Sequence, residues 1–440
     1  MVRTLDVYLN NKLVGFLVQD DDGQMSFGYS NNWLKDPLAI PLSHSLPLRD
    51  GSFSRKECRG FFAGILPEES KRKIIASNLG ISPQNDYAML EQIGGECAGA
   101  VTFVPAGESL PEKNDKYRSL NETELADILR TLPHRPLLAG EQGVRLSLAG
   151  VQDKITVHVN GDEISLPLGG APSTHILKPA IQRFDGVVFN EALCMKLAAK
   201  VGLPTALVET RQAEGIDYLL VERYDRKLVS MSPGQLSGGL PRFGVPPMRF
   251  VTRRLHQEDF CQALAIPPDK KYQSEGGPFL KQCADLLREI SSVPAVDLQH
   301  FLNAVIFNVL IGNNDAHSKN FSMLYEKEPT LSTMLSRSYS SKKLAPLYDL
   351  VSTVYYPDLS PKMAMKIGGE YISDKLFPRH FEKLAEETGL AKPMVVRRVP
   401  ELAKQVIAGL AEIEMDHEVV SKITTLIKKR CEFFINRFKT

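Results

Sequence analysis

"IGNNDAHSKNFSMLYE", residues 311–326, leaves an apolar helical run and gathers Asn, Asp, His, Lys and Asn in quick succession. A solvated turn uses one or two Asn or Asp residues. Here Asp315, His317, Lys319 and Asn320 crowd together ahead of another apolar stretch. The pattern predicts a helix over 297–311, ended by Gly312, with Asp315 and Asn320 on the loop after it. Phosphoryl transfer needs a carboxylate near the attacking hydroxyl and an amide oxygen on a metal that bridges phosphates. A kinase catalytic loop supplies both with this Asp-x4-Asn spacing. On spacing alone, an Asn/Asp-rich helix C-terminus accounts for the stretch equally well. Lys319 has no chemical assignment and reads as solvent-facing.

Working outward, "LAPLYDLVST" puts Asp349 after an apolar run, where one Asp is commonly a helix cap. Mg2+ takes hard oxygen ligands and few protein carboxylates, so Asn320 with Asp349 is a fitting pair. The interval between them is longer than in familiar kinases, and "YDL" stands where "DFG" would. Upstream, "THILKPA" carries Lys178 on a strand between apolar residues, either an edge gatekeeper or a buried cation with a purpose. Glu191 on the next helix is its natural partner. The order strand Lys, helical Glu, second strand, catalytic loop, metal acid is that of a kinase-like fold. "RLSLAGVQDK" reads by itself as a plain hairpin with a polar tip around Gly150. No GK dipeptide, GxGxxG, HExxH or GxSxG occurs, so Walker, dinucleotide, zinc-protease and hydrolase signatures are absent.

The 440 residues carry 53 basic and 52 acidic side chains, a net charge of +1. Such balance gives no global attraction to nucleic acid or an anionic membrane. Six cysteines are scattered without a CxxC pair, which fits reduced thiols in a cytoplasm. No signal peptide is read at the start, and no uninterrupted apolar run reaches membrane-spanning length. The first 29 residues alternate around Asn10–Asn11 and Asp22–Gly23 as a three-strand meander, and a helix is expected from Pro67 to Gly80. The polar stretch 106–120 reads as a boundary, and the Gly/Pro/Ser-rich 227–250 as an exposed insert. Strands first and helices afterwards predict a two-lobed α+β architecture with a cleft between the lobes.

Taken as a set, these motifs resemble the HipA family, the kinase toxins of bacterial toxin–antitoxin modules. The resemblance rests also on "SLPL" at 45–48, "FFAGILPE" at 61–68, "GGECAGAV" at 94–101, "NE" at 190–191, "VERYDR", "RLHQEDFCQ", "KYQSEGGP" and "PLYD". It implies a protein-kinase-like, phosphatidylinositol-3-kinase-like fold. An N-terminal α+β subdomain would span 1–105, a nucleotide-binding part 121–250 and a helical C-terminal lobe 251–440. Asp315 would be the catalytic base, with Asn320 and Asp349 as Mg2+ ligands and His317 as the catalytic-loop histidine. Ala149, Gly150, Val151, Gln152, Asp153 and Lys154 would form the phosphate loop, and Lys178 would contact phosphate. Glu222, Arg223 and Tyr224 would line the adenine with Tyr348 nearby, and Ser147 would be autophosphorylated, switching the kinase off. ATP and Mg2+ are the implied cofactors. The implied partners are a small helix-turn-helix antitoxin dimer (HipB-like), operator DNA and a protein substrate such as glutamyl-tRNA synthetase. Since "AMKIGGEYISDKLFPRH" offers only Lys366, Lys375 and Arg379, DNA contact is expected mainly through the antitoxin. The alternative is a catalytically weak module acting chiefly as an operon co-repressor. A small-molecule phosphotransferase would share the Asp-x4-Asn loop but not the N-terminal motifs.

Overall fold

The computed structural model describes residues 2–110, 116–181, 183–231, 249–326 and 341–439. Strands β1 (Arg3–Leu9), β2 (Lys12–Gln19) and β3 (Met25–Tyr29) form the expected meander, turning at Asn10 and Gly23, both in the left-handed region. Two-residue β4 (Ser52–Phe53) joins β3 at one edge. After the short β5 (Glu96–Cys97), β6 (Val101–Pro105) pairs with β1 at the other edge, giving the order β4-β3-β2-β1-β6. Alternation puts Leu5, Val7 and Leu9 inward, against α1 (Arg55–Gly64), α2 (Glu69–Leu79) and α3 (Asp86–Ile93). A Ser54–Glu57 capping box opens α1, whose Phe61 and Phe62 are buried. Helix α2 begins two residues after the expected Pro67 and closes on Gly80.

A second, six-stranded antiparallel sheet has the order β12-β13-β11-β9-β10-β7. Its strands are β7 (Lys116–Leu120), β9 (Ile155–Asn160), β10 (Glu163–Leu168), β11 (His175–Pro179), β12 (Val208–Ala213) and β13 (Ile216–Glu222). Strand β7 lies inside the stretch read as a boundary. It is an edge strand with exposed Lys116 and Arg118, and only Leu120 turns inward, so its composition imitates a linker. The hairpin expected at "RLSLAGVQDK" does not form. Strand β8 (Leu146–Ser147) pairs in parallel with β5 instead, because Leu146 and Leu148 enter the core of the N-terminal meander. Helices α4 (Glu122–Thr131) and α5 (Val187–Lys200) complete this part.

The chain then runs through paired β14 (Arg226–Met231) and β15 (Arg249–Arg254). Most of the 227–250 insert, residues 232–248, lies outside the described residues. Strands β16 (His256–Asp259), β17 (Ser322–Glu326) and β18 (Ser341–Leu344) make a small sheet beside five helices. These are α6 (Leu280–Ile290), α7 (Pro294–Ile311), α8 (Pro378–Thr388), α9 (Lys392–Leu410) and α10 (Glu418–Arg437). One apolar core joins the meander to the six-stranded sheet, and a second joins α5 to the C-terminal helices. By length and composition α7 could cross a membrane, but 72% of it is buried inside the fold, where it is the central helix of the second core.

Candidate active site

Helix α7 is apolar nearly all round and stops at Gly312, whose φ of 73° is a left-handed cap. The asparagines after it are mainly structural. Asn313 donates to Asn308 at 2.8 Å, and the Asn314 N–H donates to Thr353 Oγ1 at 2.8 Å. The Asp315 N–H donates to Asn313 Oδ1 at 3.1 Å, which fixes the main chain of a residue whose side chain is exposed. The Asn320 amide oxygen accepts from the His317 N–H at 3.3 Å. Its amide nitrogen donates to Asp349 Oδ2 at 3.0 Å.

Lys178 ties this loop to the sheet. It is buried on the central strand β11, with Nζ 2.7 Å from Glu191 Oε1 of α5 and 2.9 Å from Asp349 Oδ1. Burial alone would lower the ammonium pKa, but Asp349 and Glu191 outweigh it and the pKa is raised. In return the Lys178 charge holds the Asp349 carboxyl well below the usual range. Asp349 has φ 59°, a conformation costing a non-glycine residue about 1–3 kcal/mol. Its two carboxylate contacts help to hold it there.

Gly150, at φ 108°, shapes the loop over this chain; a Cβ there would sit 2.7 Å from Lys154 Nζ. Lys154 folds back to donate to Ala149 O at 3.0 Å. Burial first, then the Lys178 charge, lower its pKa to about 8. Asp153 pairs with Lys71 of α2 at 2.6 Å, and Gly150 O accepts from the Glu68 N–H at 3.2 Å. The N-terminal unit thus grips the loop from outside. Val151 is exposed and Gln152 half-buried beside them. Ser147 lies behind the loop, fully buried, with Oγ donating to Ile65 O at 3.0 Å.

At the hinge Glu222 is exposed, and the Tyr224 ring stacks 5.7 Å from Tyr348. The Tyr348 hydroxyl lies 2.7 Å from both Ser322 Oγ and Lys319 O. Arg223 lines the cleft between Glu222 and Tyr224, with its side chain committed elsewhere. Its guanidinium is buried and wholly engaged by Glu96, Asp225, Ser173 and Cys97 O.

Lys319 is not solvent-facing. It is 7% exposed, with Nζ 2.7 Å from Asp259 and 3.7 Å from Glu68. Burial opposes its charge, yet these two carboxylates raise its pKa. Glu68 also holds Lys271 at 2.9 Å, so the N-terminal unit sends a carboxylate into the cleft. Tyr272 donates to Asp315 Oδ1 at 2.8 Å, and its ring meets His317 edge-on at 5.5 Å. His317 is buried, which lowers its pKa, and its Nδ1 has no hydrogen-bond partner. Sequence reasoning gave no role to Glu68, Lys71, Asp259, Lys271 or Tyr272. Their partners lie up to 251 residues away, and "KYQSEGGP" alone hinted that its tyrosine matters.

A cleft of about 540 Å3 is lined by Gly150, Lys154, Lys178, Tyr224, Asp315, Asn320, Tyr348 and Asp349. Two lysines under a glycine loop suit phosphates, and the stacked tyrosines suit an adenine face. Among the described residues no cluster of three or more His, Cys, Asp or Glu could hold a metal. With its amide turned so that the oxygen rather than the nitrogen faces Asp349, Asn320 would complete with that carboxylate the sparse oxygen set that a nucleotide-bound divalent cation uses. The residues present fit both groups.

Comparison with known proteins accords with this geometry. Residues 5–104 match the HipA N-terminal domain and residues 146–410 the HipA-like C-terminal domain. The chain is 45% identical to "Putative kinase Y4mE" of Sinorhizobium fredii, over 94% of this chain and 93% of that one. It is 28% identical to the serine/threonine-protein kinase toxin HipA of Shewanella oneidensis, over 98% and 96% of the two chains. A solved complex of Shewanella oneidensis HipA, HipB and operator DNA superposes with a TM-score of 0.80 at 27% identity, covering 99% of this chain and 98% of that one. With both domains matched and the fold shared end to end, the chain belongs to the HipA family.

Proposed function

We propose that this chain is an ATP- and Mg2+-dependent serine/threonine protein kinase and the toxin of a toxin–antitoxin module. The observation that carries the reading is the continuous chain Glu191–Lys178–Asp349–Asn320, which opens into the same cleft as Asp315. Bound nucleotide and its divalent cation supply the phosphoryl group and neutralise its charge. Lys178 and Lys154 bind phosphate oxygens, Asn320 and Asp349 hold the cation, and Asp315 accepts the acceptor hydroxyl proton. His317, kept neutral by burial, lends its unpartnered nitrogen to the polar lining.

The acceptor is a protein of the translation apparatus, with glutamyl-tRNA synthetase the first to assay. The reaction belongs in the cytoplasm, where six free buried cysteines stay reduced. A small helix-turn-helix antitoxin dimer binds the toxin and carries most of the operator contact. Support comes from the solved HipA relative with HipB and operator DNA, and from the sparse charge of Lys366, Lys375 and Arg379.

Ser147 is the self-inactivating site. Its hydroxyl is fully buried against Ile65 O, with no room for a dianion. Phosphorylation therefore requires residues 146–151 to leave the core, and return is barred afterwards. Purified chain incubated with Mg-ATP should gain one phosphate, mapped by mass spectrometry to Ser147, and new protease cleavage within 146–154. Ser147→Ala should gain neither. Undiminished label in that variant would defeat the assignment.

A further inference from the structure

We propose that Tyr272 is a positioning residue for phosphoryl transfer, its phenol fixing the Asp315 carboxylate so that one oxygen faces the acceptor. This rests on the reading of Asp315 as the base. The phenol donates to Oδ1 at 2.8 Å, while among the described residues no hydrogen bond engages Oδ2. Asp315 is exposed, and its own loop fixes only its main chain. Without the phenol, the carboxylate would rotate among its rotamers. A base held by a third group is the arrangement that nucleophile activation requires.

Tyr272 sits on a segment tied down at several points, so it acts as a fixed donor rather than a gate. On one side Asp269 pairs with Arg59 of α1 at 2.9 Å, and Lys271 with Glu68 at 2.9 Å. On the other, Gln273 Oε1 accepts from the Lys366 N–H at 2.7 Å. Gly277 packs so closely that a Cβ would lie 2.4 Å from Lys270 O. The ring itself rests edge-on against His317, 5.5 Å between centroids. Two of these ties come from the N-terminal unit, which therefore helps to set the geometry of the base. As the acceptor oxygen bonds to the γ-phosphorus and the bond to the β-phosphate oxygen breaks, the hydroxyl proton passes to Oδ2. The leaving electrons stay on the diphosphate.

The test is the initial rate of transfer, before self-inactivation, by the full-length chain, with Mg-ATP and the inactive Asp315→Ala chain as protein acceptor. Tyr272→Phe keeps the ring and removes one oxygen, so its melting temperature should match wild type. It should lower kcat about tenfold, the order expected for losing a hydrogen bond to a charged group, with KM for ATP unchanged. A fall in acceptor KM at full kcat would mean that the phenol competes with the acceptor, and would overturn the proposal. So would wild-type kinetics, or phosphate found on Tyr272 itself. If wild type transfers no more than Asp315→Ala, the kinase reading fails instead, and the two failures are told apart.

Discussion

Lys154 shows how the charges of the cleft act on one another. Burial and the nearby Lys178 lower its pKa from the ordinary 10.5 to about 8. Its positive charge is therefore largely present at pH 7 and is lost as pH rises through that value. Affinity for ATP, measured by calorimetry at constant Mg2+, should fall about tenfold between pH 7 and 9.5. Lys154→Arg should hold its affinity across that range, because guanidinium does not titrate there. A flat wild-type profile would contradict the assignment. At this scale the sequence was uneven evidence. The pairing of Lys178 with Glu191 was legible because strand and helix follow each other directly. Lys319 was not, since its counter-ions Asp259 and Glu68 lie 60 and 251 residues away in the chain. The ion pairing of Arg223 was likewise not legible, its partner Glu96 being contributed by a different sheet.

Among elements, the junction of α7 with the loop after it governs the site. Gly312 adopts φ 73°, and a Cβ there would lie 2.3 Å from Val354 Cγ2. Gly312→Ala should destabilise the fold by about 2–3 kcal/mol through left-handed strain and overpacking, read from urea unfolding. It should also weaken transfer, because the loop carrying Asp315 starts there. An unchanged midpoint would show that the cap can relax. The end of α7 was readable, since an apolar run closing on glycine has few alternatives. Strand β8 was not, because its partner β5 comes from the N-terminal unit and its residues alone suit a hairpin equally well. Strand β7 was hidden by the polar face of an edge.

For the whole molecule, the N-terminal unit is a working part of the cleft. Glu68 reaches Lys319 on the loop after α7, and Lys71 reaches Asp153 beside Gly150. Glu96 is buried between Arg223 and Arg226 at the hinge, at 3.1 and 2.5 Å. Burial alone would raise the Glu96 pKa, yet the surrounding arginines hold it well below the carboxylate range. The two-lobed class was legible from the order of motifs along the chain. How the N-terminal unit docks was not, because docking rests on ion pairs between residues far apart in sequence. The central claim, that the cleft transfers phosphate, is tested most directly by incubating purified chain with γ-labelled ATP and Mg2+. The account predicts label on the wild type and at least a hundredfold less, to order of magnitude, on Asp315→Ala that still binds ATP. Equal label on both proteins would contradict it.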